Sequence, residues 1–159
     1  MTLGEIVLFL EGEGRLYIPP QELKVVIVDD EEWAVEGMEL VLDAWRNIRR
    51  KTIIHKWTDM PDNIPMDTDI LLLDRDFARG TVPLGELIAR RLRENNFHGL
   101  IAATTIRRPG TFESYAEWHY PNKFSLDPKH PDLNPVRGFR NFLTPILKRR
   151  VEQLEKQFA

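Results

Sequence analysis

Residues 24–31, KVVIVDDE, set four branched apolar residues directly before three acids. A short, continuously apolar, β-branched run without alternation is the pattern of a strand buried on both faces. It stops abruptly at Asp29-Asp30-Glu31, so carboxylates stand at the carboxyl end of that strand. Beyond the acids Val35, Met38, Val41, Leu42, Trp45 and Ile48 recur at helical spacing and predict an amphipathic helix of about four turns.

Working outward, the alternation of strand and helix continues. A strand is expected over Thr52–Trp57, and Pro61 and Pro65 leave room for little or no helix before the next one. That next strand, DILLL at 69–73, again ends on an acid, Asp74, and is followed by a helix over Leu84–Glu94 that offers Leu84, Leu87, Ile88 and Leu92 to a core. Leu100–Ala103 is a further buried strand ending at Thr104-Thr105. A short helix over Phe112–Trp118, capped by Thr111, and a weak fifth strand over Tyr120–Phe124 come next. From Pro135 onward Phe139, Phe142, Leu143, Ile146, Leu147, Val151 and Leu154 keep a helical period, and Pro145 either kinks that helix or starts its second half with Thr144 as cap.

Strands alternating with helices imply a parallel sheet joined by right-handed crossovers, covered on both faces. In such a sheet the ligand site lies outside the carboxyl ends of the strands. Asp29-Asp30, Asp74 and Thr104 all occupy strand ends and are expected to converge. The first 22 residues stand apart: EIVLFLE, a turn-like GEG and RLYIPP read as a β-hairpin ahead of the main domain at 23–159, either capping a sheet edge or forming a dimer contact.

Composition narrows the function. The chain has 159 residues, 42% of them hydrophobic and 30% charged, which suits one globular domain and leaves no room for a second catalytic or DNA-binding one. A net charge of −3 gives no overall basic field for nucleic acid, so Arg49-Arg50-Lys51 and Lys148-Arg149-Arg150 are read as solvated helix ends. With no cysteine there is no disulfide, thiolate nucleophile or zinc-thiolate site, in keeping with a cytoplasmic protein. The apolar run at Ile6–Leu10 is too short to span a bilayer, so no membrane partner is expected.

Carboxylates at strand ends need a partner, because unpaired buried charge is costly. Asp29, Asp30 and Asp74 make an all-oxygen set, which selects Mg²⁺ or Mn²⁺ over Zn²⁺. A carboxylate beside such a cation can accept a phosphoryl group as an acyl phosphate. Thr104 can donate a hydrogen bond to a phosphoryl oxygen and Lys123 can pair with another as a point charge. Taken singly, Asp30 also suits a helix N-cap and Thr104 an ordinary strand end.

In order and register these motifs resemble the receiver domain of bacterial response regulators, the family of the chemotaxis receiver. They are VVIVDDEE at 25–32, DILLLDRD at 69–76, LIAATT at 100–105 and YPNK at 120–123. The separations from Asp29 to Asp74, 45 residues, and from Asp74 to Thr104, 30 residues, match that receiver; Thr104 to Lys123, 19 residues, is shorter. The resemblance implies a flavodoxin-like doubly wound sheet of five parallel strands in the order 2-1-3-4-5. It implies phosphorylation of Asp74 by a sensor histidine kinase or phosphotransfer protein. Asp29, Asp30 and Asp74 would bind Mg²⁺ together with the Asp76 backbone carbonyl, Thr104 and Lys123 would contact the phosphoryl group, and Tyr120 would act as the switch aromatic. Such a domain is no general enzyme; it catalyses only its own phosphorylation and dephosphorylation.

The chain departs from the pattern in three places. Phe124 follows Lys123 where the family has proline, Thr105 replaces a small residue, and the loop after Asp74 is about three residues longer. Two rival readings share the motifs. A haloacid dehalogenase-type phosphohydrolase would use Asp74-Arg75-Asp76, although its metal-binding acid pair comes late in the chain and here the pair comes early. A pseudo-receiver would keep the fold as a binding module without the switch. The expected output is contact with another protein or with a second copy, the latter through Leu147, Val151, Leu154 and Phe158 at heptad spacing.

Overall fold

The computed structural model describes residues 2–13, 17–45, 47–53, 63–74, 84–104, 116, 118–120, 126, 127, 129 and 132–157. Its elements are α1 (Leu3–Gly12), β1 (Leu23–Val28), α2 (Glu32–Leu42), β2 (Ile48–Ile53), β3 (Ile70–Leu73), α3 (Leu84–Glu94), β4 (Leu100–Thr104), β5 (Trp118–Tyr120) and α4 (Leu133–Gln157). The strands form one sheet in the order β2-β1-β3-β4-β5, and every neighbouring pair is parallel. This is the doubly wound arrangement expected from the alternation of elements.

The apolar runs divide cleanly between the two faces. Leu23, Val25, Ile27, Ile70, Leu72, Leu100 and Ala102 turn to one side, where α2 and α4 cover them through Met38, Leu42, Phe139, Leu143 and Ile146, and α1 packs on those two helices. Val26, Val28, Leu71, Leu73, Ile101 and Ala103 turn to the other, against Ile88, Ala89 and Leu92 of α3 and against Phe97. Period-two alternation is thus present but invisible as polarity, because both faces are buried. α3 ends in a Schellman turn: Phe97 N–H reaches Leu92 O at 2.9 Å, Asn96 N–H reaches Arg93 O at 3.1 Å, and Asn96 takes a left-handed φ of 63°.

Several expectations need correcting. The N-terminal segment is a helix, not a hairpin. Thr2 and Glu5 form a capping box, with Glu5 N–H donating to Thr2 Oγ1 at 3.1 Å and Thr2 N–H to Glu5 Oε2 at 3.3 Å. Ile6 and Leu10, four apart, are buried on the shared core, and Arg140 of α4 donates to the Leu10 carbonyl at 2.9 Å. The first long helix stops at Leu42, not Ile48, because the chain turns so that Trp45 enters the core and its indole donates to Tyr17 O at 2.6 Å. Ile48 therefore opens β2, which begins four residues earlier than expected; residues 54–57 of the expected strand lie outside the described residues.

Trp118 lies in β5 (Trp118–Tyr120), not at the end of a helix; residues 112–115 and 117 of the expected helix and 121–124 of the expected strand lie outside the described residues. α4 passes through Pro145 unbroken. Thr144 is no cap there: its hydroxyl donates back to Arg140 O at 2.9 Å. The two basic triplets are not helix ends either. Arg49-Arg50-Lys51 lies on the edge strand β2, where Arg50 pairs with Glu39 at 2.9 Å and with Asp43. Burial works against the Arg50 charge, but those two carboxylates outweigh it and hold the guanidinium above its ordinary pKa. Arg150 is buried within α4. Leu147 and Val151 are buried in the protein's own core with Leu154 packed against it, so this heptad row is not a free dimer seam; Phe158 lies outside the described residues.

Candidate functional site

The sheet register builds the site. Val28 pairs with Leu73 and Leu73 with Ala103, so the next residue of each strand, Asp29, Asp74 and Thr104, falls in one row along the carboxyl edge. Thr104 pairs in turn with Tyr120, which extends the row to β5. Asp74 N–H donates to Val28 O at 2.9 Å and Asp29 N–H to Ile53 O at 3.2 Å, so the backbone beneath the acids is held by three strands.

Asp29, Asp30 and Asp74 each present a carboxylate oxygen within 4.8 Å of the others. Asp29 and Asp74 are buried and Asp30 is half-buried. At an effective dielectric of about 20, two charges at that separation repel by roughly 3 kcal/mol, so a cation between them is strongly favoured. Asp30 does not cap α2. Glu31 holds the N-cap position without a side-chain cap bond, and its N–H goes to Asp29 Oδ1 at 3.0 Å. Asp30 Oδ1 is buried without a hydrogen-bond partner among the described residues, and so is the Thr104 hydroxyl. Orphaned buried oxygens are rare and call for an ion or ligand. The donor set is all oxygen, one of its three acids carries an unsatisfied buried oxygen, and it fits a hard divalent cation.

Four residues of the sequence reading are therefore brought together: Asp29, Asp30, Asp74 and Thr104. Tyr120 joins them by register but its ring is buried, 5.1 Å from that of Phe139 and 5.3 Å from that of Phe142. Lys123, Asp76 and Thr105 lie outside the described residues. Sequence reasoning also missed a close approach behind the site at Gly37, where an added Cβ would stand 2.1 Å from the Leu126 carbonyl oxygen. A glycine in the middle of EWAVEGMELVL was the available signal, since it weakens a helix that has no other reason to be weak.

The doubly wound sheet carries an acidic cluster at its carboxyl edge. Solved structures of response regulator receiver domains share this fold. A CheY-like receiver from Methanospirillum hungatei superposes with a TM-score of 0.56 at 10% identity, covering 86% of this chain and 99% of its own. One from Methylobacillus flagellatus gives 0.53 at 13% identity, covering 82% and 99%. The response regulator TrrA from Thermotoga maritima, solved in complex with Mg²⁺-BeF, gives 0.50 at 17%, covering 66% and 90%. At these identities the likeness establishes the receiver fold. No protein-family model matches the chain, and no curated protein matches it. Among the described residues no helix is long and apolar enough to cross a membrane.

Proposed function

We propose that the chain is a phosphoacceptor receiver of a two-component system, with Asp74 as the acceptor. The observation that carries this is the juxtaposition of three carboxylates within 4.8 Å beside a buried, unsatisfied Thr104 hydroxyl. Asp29, Asp30 and Asp74 would hold Mg²⁺, which when bound supplies positive charge to the oxygens of a transferring phosphoryl group. An Asp74 carboxylate oxygen attacks phosphorus; the new P–O bond forms as the bond to the donor breaks, and the donor leaves with that electron pair. With a phosphohistidine of a sensor kinase or phosphotransfer protein the broken bond is P–N. Thr104 donates its hydroxyl hydrogen to a phosphoryl oxygen and Lys123 neutralises another.

The output is contact with another protein at the face around Tyr120 and α4, biased by the state of the site. Incubation with acetyl phosphate and Mg²⁺, followed by intact mass measurement, tests the assignment. One added phosphoryl group is expected, absent in Asp74→Asn. Equal labelling of Asp74→Asn, or catalytic release of phosphate from many esters, would refute it.

A further inference from the structure

The register of β1 and β2 turns part of one sheet face cationic. Lys24 of β1 is the Cα partner of Arg49 of β2, and Val26 is the partner of Lys51. Side chains alternate along a strand, so Lys24, Arg49 and Lys51 share the face of Val26, Val28 and Ile53, which further along the sheet is covered by α3. Arg50 turns the other way, to Glu39 and Asp43. Like charges directly opposite on neighbouring strands repel, and Lys24 stands opposite Arg49 with a third cation two residues on.

These side chains line a cavity of about 240 Å³. Val26 and Pro65 give it an apolar wall, and Asp67 is the one carboxylate of its lining. Lys24 pairs with Asp67, and Arg49 pairs with Glu22 at 3.4 Å; both pairs are exposed to solvent, where such contacts are weak and exchangeable. Lys51 has no carboxylate partner among the described residues, and its ammonium donates to the Asn63 carbonyl at 3.3 Å. Thr68 also borders the cavity, but its hydroxyl already donates to Pro65 O at 2.6 Å. The polar character of the cavity is therefore mainly positive charge, set beside an apolar wall. Sites for drug-sized ligands span roughly 300–1,000 Å³, so an occupant of this one is small.

We propose that this cavity binds a small organic anion, an apolar body of about one ring carrying a single carboxylate-like group, with the body against Val26 and Pro65 and the charge at Lys51. Lys24 precedes Asp29 by five residues, roughly 16 Å of strand, toward the opposite end of the sheet. The cavity thus stands apart from the phosphoacceptor site, and its occupancy does not depend on that reading.

The test is a titration of the ¹⁵N-labelled full chain in the absence of Mg²⁺, followed through its backbone amide shifts. Benzoate is the probe, with acetate and benzyl alcohol as its charged and apolar halves. Benzoate is expected to shift the amides of Val25, Val26, Lys51 and Thr68 saturably with a millimolar dissociation constant. Acetate and benzyl alcohol are each expected to bind at least about fivefold more weakly. Lys51→Gln is expected to weaken benzoate binding about fivefold, the upper end for one exposed ion pair, and Asp67→Asn to tighten it about two- to fivefold by releasing Lys24. Both positions are exposed, so neither substitution disturbs the core. Lys148→Gln, which removes an exposed cation on α4, serves as the control and is expected to leave benzoate binding unchanged. The absence of saturable shifts at those amides overturns the proposal. So does acetate binding as tightly as benzoate, which marks a plain counterion site, or equal benzoate affinity in the parent, Lys51→Gln and Asp67→Asn.

Discussion

Arg150 Nε donates a 2.9 Å hydrogen bond to Asp69 Oδ1, and both side chains are withdrawn from solvent. Asp69 immediately precedes β3, at the end of the sheet opposite Asp74. Its second oxygen accepts the Lys24 N–H at 2.8 Å, while Arg150 also reaches the His98 carbonyl at 3.1 Å and Gln153 at 3.2 Å. One buried pair thus ties α4 to the starts of β1, β3 and β4.

Arg150→Met is expected to cost about 3–5 kcal/mol, because it leaves Asp69 charged and buried without its cation. Arg150→Met with Asp69→Asn is expected to be less destabilised than Arg150→Met alone. Urea denaturation measures both. A loss below about 1 kcal/mol for Arg150→Met, the range of exposed pairs, would mean that the pair contributes little.

Mg²⁺ is expected to stabilise the parent by binding only the folded state, where the three carboxylates converge. At ten times its dissociation constant the gain is about 1.4 kcal/mol, or roughly 3–5 °C in Tm for a domain of this size. Asp30→Asn removes a ligand and is expected to abolish most of the rise. A full Mg²⁺-dependent rise in Asp30→Asn would place the metal elsewhere.

Much of this architecture was legible because buried parallel strands leave a loud signal. VVIV, ILLL and LIAA could hardly be anything else, and the row of Asp29, Asp74 and Thr104 follows from where those runs stop. What misled was local chemistry competing with pattern. The turn-like GEG triplet at 12–14 outweighs, as a local signal, the Thr2–Glu5 capping box and the four-residue spacing of Ile6 and Leu10, which specify the helix. Arg150 looked like a solvated charge because its partner, Asp69, is 81 positions away in sequence. The continuous period through Trp45 and Ile48 hid the end of α2, since both residues are apolar for a different reason: Trp45 plugs the core and Ile48 begins an edge strand. Gly37 was visible only as an anomaly, and its cause lies across the fold at Leu126.

α1 is held by its capping box, by Ile6 and Leu10, and by Glu13, which pairs with Arg137 at 2.8 Å. Thr2→Ala with Glu5→Ala is expected to cost about 1 kcal/mol and to fray the first turn. Hydrogen exchange is expected to accelerate at the amides of residues 3–6 while those of β1 stay protected. Equal acceleration across α1 and β1 would show that the helix and the sheet open as one unit, with no separate fraying at the cap.

Tyr120 ends β5 beside Thr104, and its ring is packed inward against Phe139 and Phe142. If phosphorylation draws Thr104 toward the new oxygens and thereby favours the inward ring, the stack with α4 already holds Tyr120 in that state. Phe142 is only partly buried, so Phe142→Ala weakens the stack without opening the centre of the core. An aromatic pair contributes about 0.5–1.5 kcal/mol, so the ratio of inward to outward ring should fall by a factor of about two to ten. Linkage is reciprocal: whatever the inward ring gains from a phosphoryl mimic, the mimic gains from the inward ring. Phe142→Ala is therefore expected to weaken beryllofluoride binding by up to that factor, and beryllofluoride is expected to restore the inward ring. Fluorine spectra of fluorotyrosine-labelled protein, with Tyr120 assigned by substitution, report the ring position directly. If Phe142→Ala moves the Tyr120 resonance toward its solvent-exposed value while beryllofluoride affinity stays within about twofold of the parent, Tyr120 is a packing residue uncoupled from Asp74.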